Sequence, residues 1–157
     1  SQRMQLRSSH GVEIIDDTWN ANPDSMASSL ETFVNMSSTG TRWLVLGDML
    51  ELGGDSHRQH RLLAATLIGL RDDHRLDQVV LIGTEMAALV EALAGSSCGP
   101  IVSHLVMLSD DDAVELAGRF GQGDLVLVKG SRGLKLERVI DAMDFQGVGP
   151  RQPMNQD

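Results

Sequence analysis

A chain of 157 residues, 41% of them apolar, fills one hydrophobic core and suggests one domain. Its 13 basic and 22 acidic residues give a formal charge of -9, which argues against nucleic acid as the main partner, because phosphate-backbone binding needs a basic face. The lone Cys98 excludes an intrachain disulfide, no run approaches the roughly 18 apolar residues of a membrane span, and Ser1 to Leu6 lacks the apolar segment of a signal peptide, so a cytoplasmic, reducing setting is expected.

Met4 to Arg7 and Val12 to Ile15 flank a turn at Ser9-His10-Gly11 and predict a hairpin with one antiparallel edge strand. Asn22 and Pro23 open a helix on which Met26, Leu30, Phe33 and Val34 recur at helical spacing, ending near Ser37. Trp43 to Leu46 is a buried strand ending in Gly47-Asp48, and a glycine-containing loop leads to a helix from about Ser56 to Leu70. Val79 to Ile82 stops at Gly83-Thr84, and Met86 to Leu93 forms a short helix closed by Gly95. After a loop at Ser96 to Pro100, Ile101 to Met107 is a further strand candidate. Ser109 and Asp112 form a capping box for a helix to about Phe120. Leu125 to Val128 is the last strand, and Leu134, Leu136, Val139, Ile140 and Met143 outline the closing helix. The polar, glycine- and proline-rich stretch 147–157 is expected to be a flexible tail after a domain spanning 1–146.

Alternation of short β-branched runs with amphipathic segments predicts an α/β fold, a three-layer Rossmann-like doubly wound sheet, mostly parallel, of about six strands. Right-handed crossovers gather four strand exits on one rim: Asp16-Asp17, Gly47-Asp48, Gly83-Thr84 and Lys129-Gly130-Ser131-Arg132. Lys129 and Arg132 are charge-assisted donors suited to a carboxylate or phosphate, Ser131 adds a neutral donor, and Asp16 or Asp17 suits ribose hydroxyls. A nucleotide or acidic ligand is the matching chemistry. Glycine and polar residues are also ordinary in such loops, and Glu51 is equally a carboxylate for a cationic group or a solvated loop acid. His57 and His60 lack a third ligand at zinc spacing, so no metal is expected, and His60 is assigned a surface or loop-orienting role. Met26, Met86 and Met143 belong to the core, and Asp110-Asp111-Asp112 to a solvated helix start.

The segment Ile14 to Met26 resembles the Asp-Asp-x-Tyr-Asn-Ala-Asn-Pro segment of the D-alanyl-D-alanine-adding (MurF) branch of the Mur ligase family. Leu46 to Gly53 (Leu-Gly-Asp-Met-Leu-Glu-Leu-Gly), the later His60, and Val128 to Arg132 (Val-Lys-Gly-Ser-Arg) are similar to that branch's segments in the same order. Asn20-Ala21-Asn22 stands where the diaminopimelate- or lysine-adding enzymes and folylpolyglutamate synthase carry an Asp-x-Ala-His-type segment. The resemblance covers roughly residues 3 to 143.

That resemblance implies the C-terminal domain of a ligase that uses ATP and Mg to activate the terminal carboxylate of UDP-N-acetylmuramoyl-tripeptide as an acyl phosphate. The amine of D-alanyl-D-alanine then attacks it in peptidoglycan synthesis. It further implies partner domains, an N-terminal one for the UDP-sugar and a central ATPase domain. No G-x-x-x-x-G-K-[ST] loop occurs in these 157 residues, so this part alone is expected to be inactive. By resemblance Arg3, Asp16, Asp17 and Asn20 meet the ATP, Asn22, Glu51, Ser131 and Arg132 face the substrates, and Lys129 with Arg132 orients the reacting groups without any nucleophile. Trp19 replaces the family's tyrosine, and packing is preferred to stacking for it. Lys129→Ala or Asn22→Ala is then expected to affect turnover far more than stability. The competing reading is a stand-alone nucleotide- or small-acid-binding module without catalysis.

Overall fold

The computed structural model describes residues 4–148, with side chains through Met143. Arg3 and the stretch from 149 onward lie outside the described residues. The hairpin pairs β1 (Gln5–Ser9) with β2 (Val12–Asp17), antiparallel, through a turn in which His10 and Gly11 both take positive φ. Helix α1 (Pro23–Asn35) follows. Asn22 Oδ1 accepts the Ser25 amide, while Ser25 Oγ accepts the Asn22 amide, a capping box that starts the helix at Pro23 after the loop 18–22. The rest of the chain alternates strictly: β3 (Arg42–Gly47), α2 (Ser56–Asp72), β4 (Gln78–Ile82), α3 (Ala87–Leu93), β5 (Val102–Leu105), α4 (Asp110–Ala117), β6 (Leu125–Lys129) and α5 (Glu137–Val148).

The sheet order is β1-β2-β6-β3-β4-β5, with every pair but the first parallel. Its two faces bury two separate cores, so the fold is the three-layer doubly wound sheet predicted. Ile15, Leu44, Leu46, Leu81 and Leu127 meet Met26, Leu30 and Phe33 of α1, Leu67 of α2 and Leu89 of α3 on one face. Ile14, Trp43, Val45, Val80 and Val128 meet Leu116 of α4 and Val139 and Ile140 of α5 on the other. Each such fully buried side chain contributes about 1.5–3 kcal/mol.

Three boundaries differ from the sequence expectation. β5 ends at Leu105, leaving Val106 and Met107 on the surface, because an edge strand has only one neighbour to pair with. α4 stops at Ala117 rather than Phe120, with Gly118 at its C-cap, and the Phe120 ring instead packs edge-on against Trp43 at 4.9 Å. The closing helix is preceded by a separate 3-10 turn, Arg132–Leu134, and by Lys135 in the left-handed region. It runs from Glu137 to Val148, starting later than the Leu134 expected.

β2 and β3 hand their chains to the α1–α3 face, whereas β6, lying between them, hands its chain to α5 on the opposite face. The exits of β2 and β3 thus lead toward one face and that of β6 toward the other, the kind of switch point at which open α/β sheets bind ligands.

Candidate functional site

Strand parity divides the two adjacent acids. Asp17 continues the Ile15 side of β2 and turns toward α1, where Ser29 Oγ donates to its Oδ2 at 2.5 Å and Lys129 Nζ donates to the same oxygen at 2.8 Å. Lys129, in register with Asp17, is 1% exposed and also donates to the carbonyl of Asn20 at 2.9 Å. Lys129 therefore ties β6 to β2 and to the loop leading into α1, and its ammonium lies beneath the rim rather than on it.

Asp16 continues the Ile14 side and faces α5. Its Oδ2 pairs with Arg7 Nε at 2.9 Å and its Oδ1 accepts from Thr18 Oγ1 at 3.0 Å. Gln5, Arg7, Asp16, Thr18, Trp19, Arg132 and Glu137 enclose a hollow of about 300 Å³. The Trp19 ring is 39% exposed and lies under the Arg132 guanidinium, 3.8 Å from ring centre to Cζ. Trp19 thus packs its ring against the Arg132 guanidinium while staying part-exposed at the rim. The hollow joins two carboxylates, Asp16 and Glu137, two guanidinium groups and an aromatic side chain, a set whose acceptors suit ribose hydroxyls and whose donors suit phosphate oxygens.

A second hollow, about 310 Å³, opens beyond β3 and β4 and is lined by Asp48 to Gly53, Ser56, Thr84 and Glu85. Asp48 is buried and accepts the amides of Glu85 at 3.2 Å and Met86 at 2.9 Å. Burial pushes its carboxyl above the usual range, with those two amides pulling the other way. Gly83, at φ +117°, is required here, since a Cβ would stand 2.2 Å from the Asp48 carboxylate carbon. Glu51 is exposed at the hollow's edge, in the left-handed region at φ +63°. Ser131 is buried and its Oγ accepts the Leu50 amide at 3.0 Å. His60 is fully buried, not at the surface: Nδ1 lies 2.7 Å from the Ser56 carbonyl and Nε2 accepts the Met49 amide at 3.0 Å. That location overturns the surface alternative for His60 and leaves loop orientation.

Asn20 uses its Oδ1 on the Ala21 amide and Asn22 uses its Oδ1 as the α1 cap, so both shape the loop between β2 and α1. Arg3 lies outside the described residues. Sequence reasoning passed over Arg7, although the hairpin turn fixes Gln5 opposite Asp16 and so places Arg7 diagonally across from that acid. Glu85, which accepts from Ser56 Oγ at 2.5 Å, was also passed over. Among the described residues no group of three or more His, Cys, Asp or Glu side chains could hold a metal ion, and no helix is long and apolar enough to cross a membrane.

The chain is a doubly wound α/β domain with two polar hollows on the rim where its parallel strands end, the place where open sheets of this class bind ligands. The chain belongs to the Mur ligase, glutamate ligase domain family, matched over residues 2–132. It is 31% identical over 135 residues to the UDP-N-acetylmuramoyl-tripeptide--D-alanyl-D-alanine ligase of Bacillus subtilis, covering 86% of this chain and 28% of that enzyme. It is 32% identical over 160 residues to the ligase of the same name from Mycobacterium tuberculosis, covering 90% and 30%. Among solved structures, MurF ligase from Thermotoga maritima in complex with ADP superposes with TM-score 0.68 at 30% identity, over 91% of this chain and 30% of that one. A MurF structure from Acinetobacter baumannii gives TM-score 0.73 at 25% identity over the same shares. The chain thus spans under a third of the length of these relatives.

Proposed function

We propose that this chain is the C-terminal domain of an ATP-dependent ligase that joins D-alanyl-D-alanine to UDP-N-acetylmuramoyl-tripeptide in the cytoplasm, during peptidoglycan synthesis. The observation that carries this reading is the meeting, on one rim, of three loops that resemble the same enzyme branch: Asn20-Ala21-Asn22-Pro23, the Gly47 to Gly53 loop and Lys129 to Arg132.

In this reading a carboxylate oxygen of the tripeptide attacks the γ-phosphorus of ATP and ADP leaves. The dipeptide amine then attacks the acyl carbon, phosphate leaves and the amine's proton is lost. The domain supplies positioning and charge rather than a nucleophile. Asp16 offers acceptors for ribose hydroxyls, Arg7 and Arg132 offer donors for phosphate oxygens, and Trp19 holds the Arg132 guanidinium in place from below. Asp17 and Lys129 act at one remove, by fixing the loop that carries Asn20 and Asn22. By the resemblance, Mg and most of the phosphate contacts belong to the enzyme's other domains. The isolated chain is accordingly inactive in this proposal.

The test is D-alanyl-D-alanine-dependent phosphate release from ATP in the presence of UDP-N-acetylmuramoyl-tripeptide, measured for this chain alone and for its full-length parent. Release by the parent alone is expected. A folded parent without activity, paired with tight nucleotide binding by the isolated chain, would replace this reading with a non-catalytic binding module.

A further inference from the structure

The loop after β3 is held in an unusual way. Its two consecutive amides, Met49 and Leu50, are bonded to neither helix nor sheet; each is taken by a side chain from a distant element. His60, one turn into α2, accepts the Met49 amide, and Ser131, two residues past the end of β6, accepts the Leu50 amide. Both side chains belong to buried residues. The backbone adds a third tie, because the Ser131 amide donates to the Asp48 carbonyl at 3.1 Å. The next residue, Glu51, is driven to φ +63°, a conformation that a residue with a Cβ adopts at a cost and that persists only where the surroundings over-determine it. Met49 is buried in the core, but Leu50 and Glu51 are exposed, so packing of their own side chains does not explain the geometry at Glu51.

The ring of His60 is committed to one tautomer. With Nδ1 at 2.7 Å from the Ser56 carbonyl, the proton sits on Nδ1 and donates there, which leaves the Nε2 lone pair for the Met49 amide. A side chain that merely filled the space would have no need of an acceptor at that point. Ser131 likewise presents its oxygen, and the Lys129-to-Arg132 loop is thereby locked to the loop that carries Glu51.

We propose that His60 and Ser131 are positioning residues for the ligation: by accepting consecutive amides they hold the Glu51 carboxylate at the mouth of the hollow beyond β3 and β4, where it receives the ammonium of the incoming dipeptide. This rests on the ligase reading above. The carboxylate stabilises and orients the cation before the amine gives up its proton, and it forms no bond to substrate carbon.

The experiment uses the full-length ligase. Steady-state constants are measured for D-alanyl-D-alanine, ATP and the UDP-tripeptide in His60→Leu, His60→Gln, Ser131→Ala and Glu51→Gln. The glutamine at 60 is the conservative variant, since its amide oxygen reaches toward the Nε2 position, whereas leucine offers no acceptor. KM for the dipeptide is expected to rise about tenfold in His60→Leu and Ser131→Ala, the equivalent of one hydrogen bond. The constants for ATP and the UDP-tripeptide should stay within about twofold, and His60→Gln should recover most of the loss. Glu51→Gln, on an exposed residue that folding does not depend on, should reproduce the dipeptide-specific defect even if a core variant fails to fold. Equal losses for all three substrates, a glutamine variant as impaired as the leucine one, or an unchanged dipeptide KM in Glu51→Gln would each overturn the proposal. An inactive but folded wild-type parent would instead remove the ligase reading itself, and this inference with it.

Discussion

Replacing Lys129 by methionine keeps the length of the side chain and removes its charge. The perturbation strands Asp17, whose carboxylate is 14% exposed and retains one side-chain donor, Ser29 Oγ, and it deprives the Asn20 carbonyl of its donor. Breaking a buried ion pair from one side costs about 3–5 kcal/mol. The partial exposure of Asp17 and its surviving hydrogen bond place this case at the lower end, about 3 kcal/mol, which for a chain of this size lowers the melting temperature by about 6–12 °C. Urea unfolding of the 157-residue chain measures it directly. The double variant with Asp17→Asn has no stranded charge, so it should lose less than the two single variants together, with a coupling of about 1.5–2 kcal/mol. As an internal standard, breaking the exposed Arg58–Asp55 pair, 67% and 51% accessible, should leave the urea midpoint almost unmoved. A loss below about 1 kcal/mol in Lys129→Met, or a coupling near zero, would show that the pair behaves as a surface contact and refute the burial argument. A loss of that size would run against the sequence-based expectation that substitution of Lys129 affects turnover far more than stability.

Two further outcomes follow from the same geometry. Because burial raises the Asp48 pKa in the folded state above its unfolded value, the stability this group contributes is fully present below the unfolded pKa and is lost as pH rises through the folded one. The wild-type chain should therefore gain stability relative to Asp48→Asn as pH falls from 7 toward the acidic range, read as a widening gap between their urea midpoints; a constant gap would contradict it. Gly83→Ala should destabilise by more than about 2 kcal/mol, combining the positive-φ penalty with the collision against Asp48. Thermal melts check this, and Gly95→Ala, also at positive φ but with nothing within 4 Å of the added carbon, should cost clearly less.

The elements were legible because local chemistry dictates them. Two capping boxes, Asn22/Ser25 and Ser109/Asp112, fix helix starts, and the His10-Gly11 turn fixes the hairpin register. The polar strand exits were visible for the same reason. What sequence could not supply was adjacency. β6 inserts between β2 and β3, and only that placement brings Lys129 opposite Asp17 and turns an apparent rim donor into a buried tie. Parity alone puts Lys129 on the side of Leu125 and Leu127, which would have pointed to the α1 face, but the identity of its partner depends on strand order. His60 was misplaced toward the surface because an amphipathic pattern does not show that a polar side chain has a loop amide waiting for it. The partner of Trp19 was not legible because Arg132 is more than a hundred residues away in sequence.

The close approach of Gly47 and Gly130 has a mechanical consequence. A Cβ at Gly130 would lie 3.0 Å from the Gly47 Cα, so the two strand exits run with their backbones almost touching, and the Ser131 to Asp48 and Leu50 bonds stitch them together immediately beyond. Neither exit can swing without dragging the other. On that side of the rim the two loops form one stiff plate, and a closing motion that engages a substrate there must carry both loops together as one rigid body.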